Sequence, residues 1–227
     1  MRSWIHSVKP LGNFNAPNLS RTDLPSLPPL AEVITDTSAD KDGPLAKALA
    51  LLFEVSPVLY SDLVPGVASF IRNAPPILSY FTVVDVSQAV ISAWSDDLKA
   101  QFIAGHPRIG EINGLSRLSE LEQAAKATSP DILARLAHLN ALYELKYPGL
   151  VYVTFVNKRS RAEIKDEMED KLGLEHSVSA DSPSAASIVR IEKGSKEWKD
   201  ELERAVSDVG KIAHSRLRSW DVVDSEA

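Results

Sequence analysis

The sequence contains no cysteine. Disulfides, thiol catalysis and cysteine-ligated metals are therefore excluded. No apolar run is long enough to span a bilayer, so no membrane segment is expected. Positive charge is also short, with 25 Lys and Arg against 31 Asp and Glu and a formal net charge of -6. An acidic chain without a basic patch gives nucleic acid nothing to hold. An anionic small substrate would need a local arginine or lysine to overcome that field. Missing too are G-x-S-x-G, the P-loop, G-x-G-x-x-G and H-E-x-x-H. Hydrolase-elbow, nucleotide, dinucleotide and zincin readings lose their main support. The five histidines show no metal-ligand spacing, so neither a metal nor a cofactor is expected. The first residues lack an apolar core of the signal-peptide kind, and "DSEA" is not the S-K-L peroxisomal signal. A cytoplasmic protein is the expectation.

What is present suits one domain with a real core: 227 residues, 44% of them hydrophobic. Residues 1–28, rich in Asn, Pro and Ser, read as a loosely ordered arm. Residues 29–227 read as one all-α, multi-helix bundle with a short extended segment. "PLAKALALLFEVS" opens it, with Pro44 at a first-turn position. Short helices punctuated by Pro57, Pro65 and Pro75–Pro76 follow. The next stretch is helical in pattern, but its "YFTVVDV" could pass for a strand. "SRLSELEQAAKA" reads as a short helix. "SPDILARLAHLNALYELKYPG" carries a Ser129 cap, Pro130, Asp131 and the stripe Ile132, Leu136, Leu139 and Tyr143. "LVYVTFV" is the extended run, and "SRAEIKDEMEDKLG" a charged helix with a solvated face. Ser- and Ala-rich residues 175–195 read as an insertion loop. A last helix from about Lys196 to Trp220 completes the chain.

Three features stand out chemically. His106 lies in "FIAGHPRIGE" between Gly105, which can end a helix in a left-handed conformation, and Pro107, which holds it extended. Such a turn suits a residue that presents one nitrogen accurately, and equally an ordinary helix end. Ser119, Glu122 and Gln123 share a helix face that could orient a histidine or grip a polar ring, or could simply be solvated. Arg216 falls on the apolar stripe of the last helix (Trp198, Leu202, Ala205, Val209, Ile212, Trp220). A charge there is costly unless it snorkels from the helix end or meets a carboxylate. Periodicity alone favours snorkelling. His138 and His214 read as surface residues.

Taken in order, six fragments resemble one family. "LFEVSP" (52–57) is similar to its F-E-x-S-P segment, "GHPRIG" (105–110) to its catalytic H-P motif, and "SELEQA" (119–124) to S-x-x-E-Q. "LNALYELKYPGLVYV" (139–153) is similar to its N-x-x-Y-E segment and extended run. "NKRSRAEI" (157–164) resembles G-R-S-x-x-E-I, and "KIAHSRL" (211–217) resembles I-A-x-x-R-L. The family is that of the 2-oxo-4-hydroxy-4-carboxy-5-ureidoimidazoline (OHCU) decarboxylases of urate breakdown.

The resemblance implies a cofactor-independent carboxy-lyase that turns OHCU, a small anionic substrate, into (S)-allantoin, and a homodimer. It makes His106 the general acid/base and Glu122 its orienting partner, whose carboxylate would raise the His106 pKa. Ser119, Gln123 and Pro107 would shape the pocket and contact the substrate. Backbone groups of Val153, Phe155 and Val156 would add hydrogen bonds, and Arg216 would anchor the anion. Two departures concern the rim: "KYPGLVYV" replaces a Phe-Gly-Phe-Pro-Phe turn, and Asn157 and Lys158 stand where glycine is common. Different readings of the same residues are a helical binding module that kept the fold, and a lyase acting on another ureide.

Overall fold

A computed structural model describes residues 26–73, 77–111 and 128–220. The N-terminal arm to residue 25 and the segment carrying Ser119, Glu122 and Gln123 lie outside the described residues. Eight α-helices are described: α1 (Leu30–Thr35), α2 (Pro44–Phe53), α3 (Val64–Asn73), α4 (Tyr80–Ser92), α5 (Asp96–Ala104), α6 (Pro130–Lys146), α7 (Arg161–Leu172) and α8 (Lys196–Ser219). Among the described residues there is no strand. The architecture is all-α.

Local chemistry sets the boundaries. Pro44 starts α2, and Asp36 accepts a hydrogen bond from the Leu45 amide at 3.2 Å. Pro65 does not interrupt the chain as expected. It sits in the first turn of α3, where its missing N–H is not needed, and a π-helical turn, Leu59–Leu63, leads directly into it. The "YFTVVDV" stretch is helical in α4, capped by Ser79, whose hydroxyl accepts from Thr82 at 3.2 Å. Its β-branched residues are accommodated because Val83, Val84 and Val86 are buried in the core, so packing overrides propensity. Ser160 and Glu163 form a reciprocal capping box on α7, which gives the S-x-x-E spacing of "RSRAEI" a structural meaning.

The 24-residue α8 is the central element, with α2, α4 and α5 packed around it. Trp198, Leu202, Ala205, Val209, Ala213 and Leu217 enter the core from it. Helices α6 and α7 pack on each other. Charged α7 is not simply a solvated face: Ile164, Lys165, Met168, Glu169 and Leu172 are buried on it. Glu169 meets Arg135 of α6 at 2.7 Å and Lys165 at 2.8 Å, with the pair carboxylate and guanidinium sealed from solvent.

Residues 174–195 contain one short 3-10 turn, Ala185–Ser187, and cross α6 and α7 as a strap. Arg135 donates to the carbonyls of Ser179, at 3.0 Å, and Ser182. Lys165 donates to Ser177 at 3.0 Å. His138 donates to Pro183 at 2.9 Å, so it is half-buried rather than on the surface. No described helix is long and apolar enough to cross a membrane.

Candidate active site

His106 follows α5 in a tight turn, its amide bonded to Ile103 at 3.0 Å. Gly105 is not left-handed: its φ is -75°. Glycine is needed there for closeness instead, because a Cβ would come within 2.6 Å of the Ser56 Cβ. The F-E-x-S-P and G-H-P segments are thus in direct contact. The His106 Nδ1 lies 3.2 Å from the Phe102 carbonyl. A carbonyl can only accept, so Nδ1 carries the proton and Nε2 of the neutral ring is the free base. Phe102 packs edge-on against the imidazole at 5.4 Å, with Trp94 and Phe53 behind it.

Arg216 does not snorkel. It is 4% exposed and forms a buried ion pair with Glu54, itself 6% exposed. Its Nη1 donates to the carbonyls of Leu51 and Leu52 at 3.2 and 3.3 Å. These are the last carbonyls of α2, whose own final turn has no basic residue. An arginine from α8 therefore supplies the positive charge that a helix C-terminus favours. The pair and the imidazole share one electrostatic environment. Burial pushes His106 down to about 4; the Glu54 carboxylate opposes that shift and Arg216 adds to it. Loss of hydration outweighs the Glu54 carboxylate; the upward shift expected from Glu122 concerns a residue outside the described ones. At neutral pH the ring is uncharged and available to accept a proton.

The extended run follows another logic. Its backbone has no strand partner among the described residues, and α8 takes over that role. Arg204 donates to the Val153 carbonyl at 2.9 Å, and the Phe155 amide donates to Asp208 at 3.4 Å. Arg159 donates to the Phe155 and Val156 carbonyls. These backbone groups are already engaged within the chain. The turn that follows places Asn157 at φ 45° and Lys158 at φ 66°. A left-handed turn there makes glycine the undemanding choice.

Phe155 also lines a cavity of about 490 Å³ between α4 and α8, with Gln88, Gly210, Lys211 and His214. His106 and Arg216 are not part of its wall. His214 is half-buried there, its Nε2 3.2 Å from Asp85, because α4 lies against it. Pro107 adjoins His106 and is half-buried. The structure thus brings His106 and Arg216 to one buried region and adds Glu54, which sequence reasoning placed in a motif without giving it a role. Elsewhere, donor atoms of Asp166, Glu169 and His176 lie within 4.8 Å of one another. The Lys165 ammonium is already against both carboxylates, at 2.5 Å from Asp166 and 2.8 Å from Glu169, so positive charge is supplied internally.

Comparison with known families decides the class. The profile of the OHCU decarboxylase family matches residues 40–186, well over half of the chain. The chain belongs to the OHCU decarboxylase family. That is a family of carboxy-lyases, and membership assigns this protein to decarboxylation in urate breakdown. The matched span contains Glu54 and His106, while Arg216 lies beyond it on α8. No curated protein matches the chain significantly.

Proposed function

We propose that the protein decarboxylates OHCU to (S)-allantoin without a cofactor, with His106 as general acid/base and Arg216 as anion anchor. The observation that supports this most is the state of His106: buried, uncharged, with Nδ1 committed to Phe102 and Nε2 left as the base, in the electrostatic range of the buried Arg216.

Loss of CO2 leaves an electron pair on the substrate. The ring of OHCU accepts it, because the carboxylate-bearing carbon adjoins a conjugated ring imine. The protein has to hold the anion and manage protons. Arg216 helps hold the substrate. The neutral His106 removes or steers the 4-hydroxyl proton and returns a proton to one face of the intermediate, which sets the S configuration. Positioned acid/base chemistry of this kind contributes about 10²–10⁴-fold. Glu122 would orient the imidazole, and Ser119, Gln123 and Pro107 would complete the pocket, with backbone of the Val153–Val156 run around it. A homodimer and a cytoplasmic location go with this reading.

The test is CO2 release from OHCU prepared fresh from urate. Release well above the spontaneous rate supports the reading. Release at the spontaneous rate sends the search to another ureide, or to a fold reused for binding.

A further inference from the structure

Glu54 has a backbone conformation that a glutamate would not adopt without cause. It follows the last residue of α2 with φ 67° and ψ 146°. That combination lies close to a region used almost only by glycine and is costly for any side chain. Relaxed helix ends use the left-handed helical region instead, with glycine or asparagine in it. Here the strained residue is also buried, and its carboxylate turns inward onto the Arg216 guanidinium.

The strain fixes a short bridge. Two residues on, the Ser56 hydroxyl accepts from the Leu59 amide at 3.1 Å, and its Cβ packs against Gly105. Residues 54–56 therefore touch Arg216 on one side and the backbone beside His106 on the other. Strain of this kind persists only where the surroundings over-determine it, and it gathers where geometry matters to function.

We propose that Glu54 is a positioning residue of the decarboxylase site: it fixes the Arg216 guanidinium relative to the His106 ring, so that anchor and base face the substrate in one geometry. The proposal rests on the decarboxylase reading above. Glu54 does not contact the substrate in this scheme; it acts through Arg216 and through its field at His106.

Glu54→Gln keeps the shape and removes the charge. The expected result is a kcat about tenfold lower or more, with a smaller change in KM, because misorientation weakens the chemical step more than binding. The nitrogen NMR signals of the His106 ring should also move at neutral pH. A merely structural pair would lower Tm and leave kcat, KM and those signals at wild-type values per folded molecule; that result overturns the proposal. If the wild type does not decarboxylate OHCU, the functional reading fails by itself. The His106 signals then still decide whether Glu54 sets the ring's environment. Should Glu54→Gln not fold, Glu54→Gly, which suits this backbone, allows the same comparison.

Discussion

Among the described residues, two buried arginine–glutamate pairs can be compared, and they differ in their backbone and their surroundings. Arg135–Glu169 joins α6 to α7. Both partners lie on regular helices, and every available polar group is spent. Glu169 also takes Lys165 and the Ser177 amide, while Arg135 also takes the Ser179 and Ser182 carbonyls. The network clamps the 174–195 strap onto the fold. Arg216–Glu54 joins α8 to the end of α2, on strained backbone, in the electrostatic range of a buried neutral histidine. Burial of an ion pair is thus no sign of function in itself. The strained backbone at Glu54 is the feature that separates the two.

The comparison can be broken at the ring first. His106→Ala should lower kcat by roughly 10²–10⁴-fold with the helical circular-dichroism spectrum unchanged. Activity equal to wild type would remove the ring from the mechanism. The strap-side pair should behave oppositely. Glu169→Gln should cost about 3–5 kcal/mol in urea unfolding, because the buried Arg135 guanidinium loses its carboxylate; Arg135→Met should cost less, because Glu169 keeps Lys165. Turnover per folded molecule should not change.

Arg216→Lys keeps the charge but loses the planar fork that serves Glu54 and two carbonyls at once. It should reduce kcat/KM for OHCU by about tenfold to a hundredfold, as expected for lost charge-assisted hydrogen bonds. A wild-type value would argue against an anchoring role. A further effect lies in the pH dependence of stability. His106 titrates at about 4 folded, against an ordinary value of 6.5, so between these values the unfolded chain binds the extra proton. Stability is therefore full above pH 6.5 and falls as the pH drops toward 4, by up to about 1.4 kcal/mol per pH unit from this group. Unfolding free energies of His106→Ala should show a shallower slope across that window.

Much of the fold could be read from local chemistry. The Ser129 cap, Pro130 and the Ile132–Tyr143 stripe located α6, and the Trp198–Val209 stripe located α8. What escaped depended on tertiary context. A run of β-branched residues became helix because α4 is packed from several sides. The burial of Glu169 had no local signature because its partner, Arg135, stands 34 positions earlier in sequence. The same limit governed the site. His106 and its stiff turn were visible, but the cause of its rigidity was not: Gly105 is demanded by Ser56, across the fold, rather than by its own torsion angle. Arg216 was visible as an anomaly, whereas its solution, Glu54, lies 162 positions earlier. The one local hint was the F-E-x-S-P fragment, and its strained φ has no signature in residue type.

The most direct test of the account follows the circular dichroism of allantoin formed from fresh OHCU, with wild type, His106→Ala and Arg135→Met compared at equal folded concentration. The account predicts rapid appearance of one enantiomer with wild type and Arg135→Met, and a slow racemic background with His106→Ala. Equal traces from wild type and His106→Ala, whether fast or at background, would contradict it.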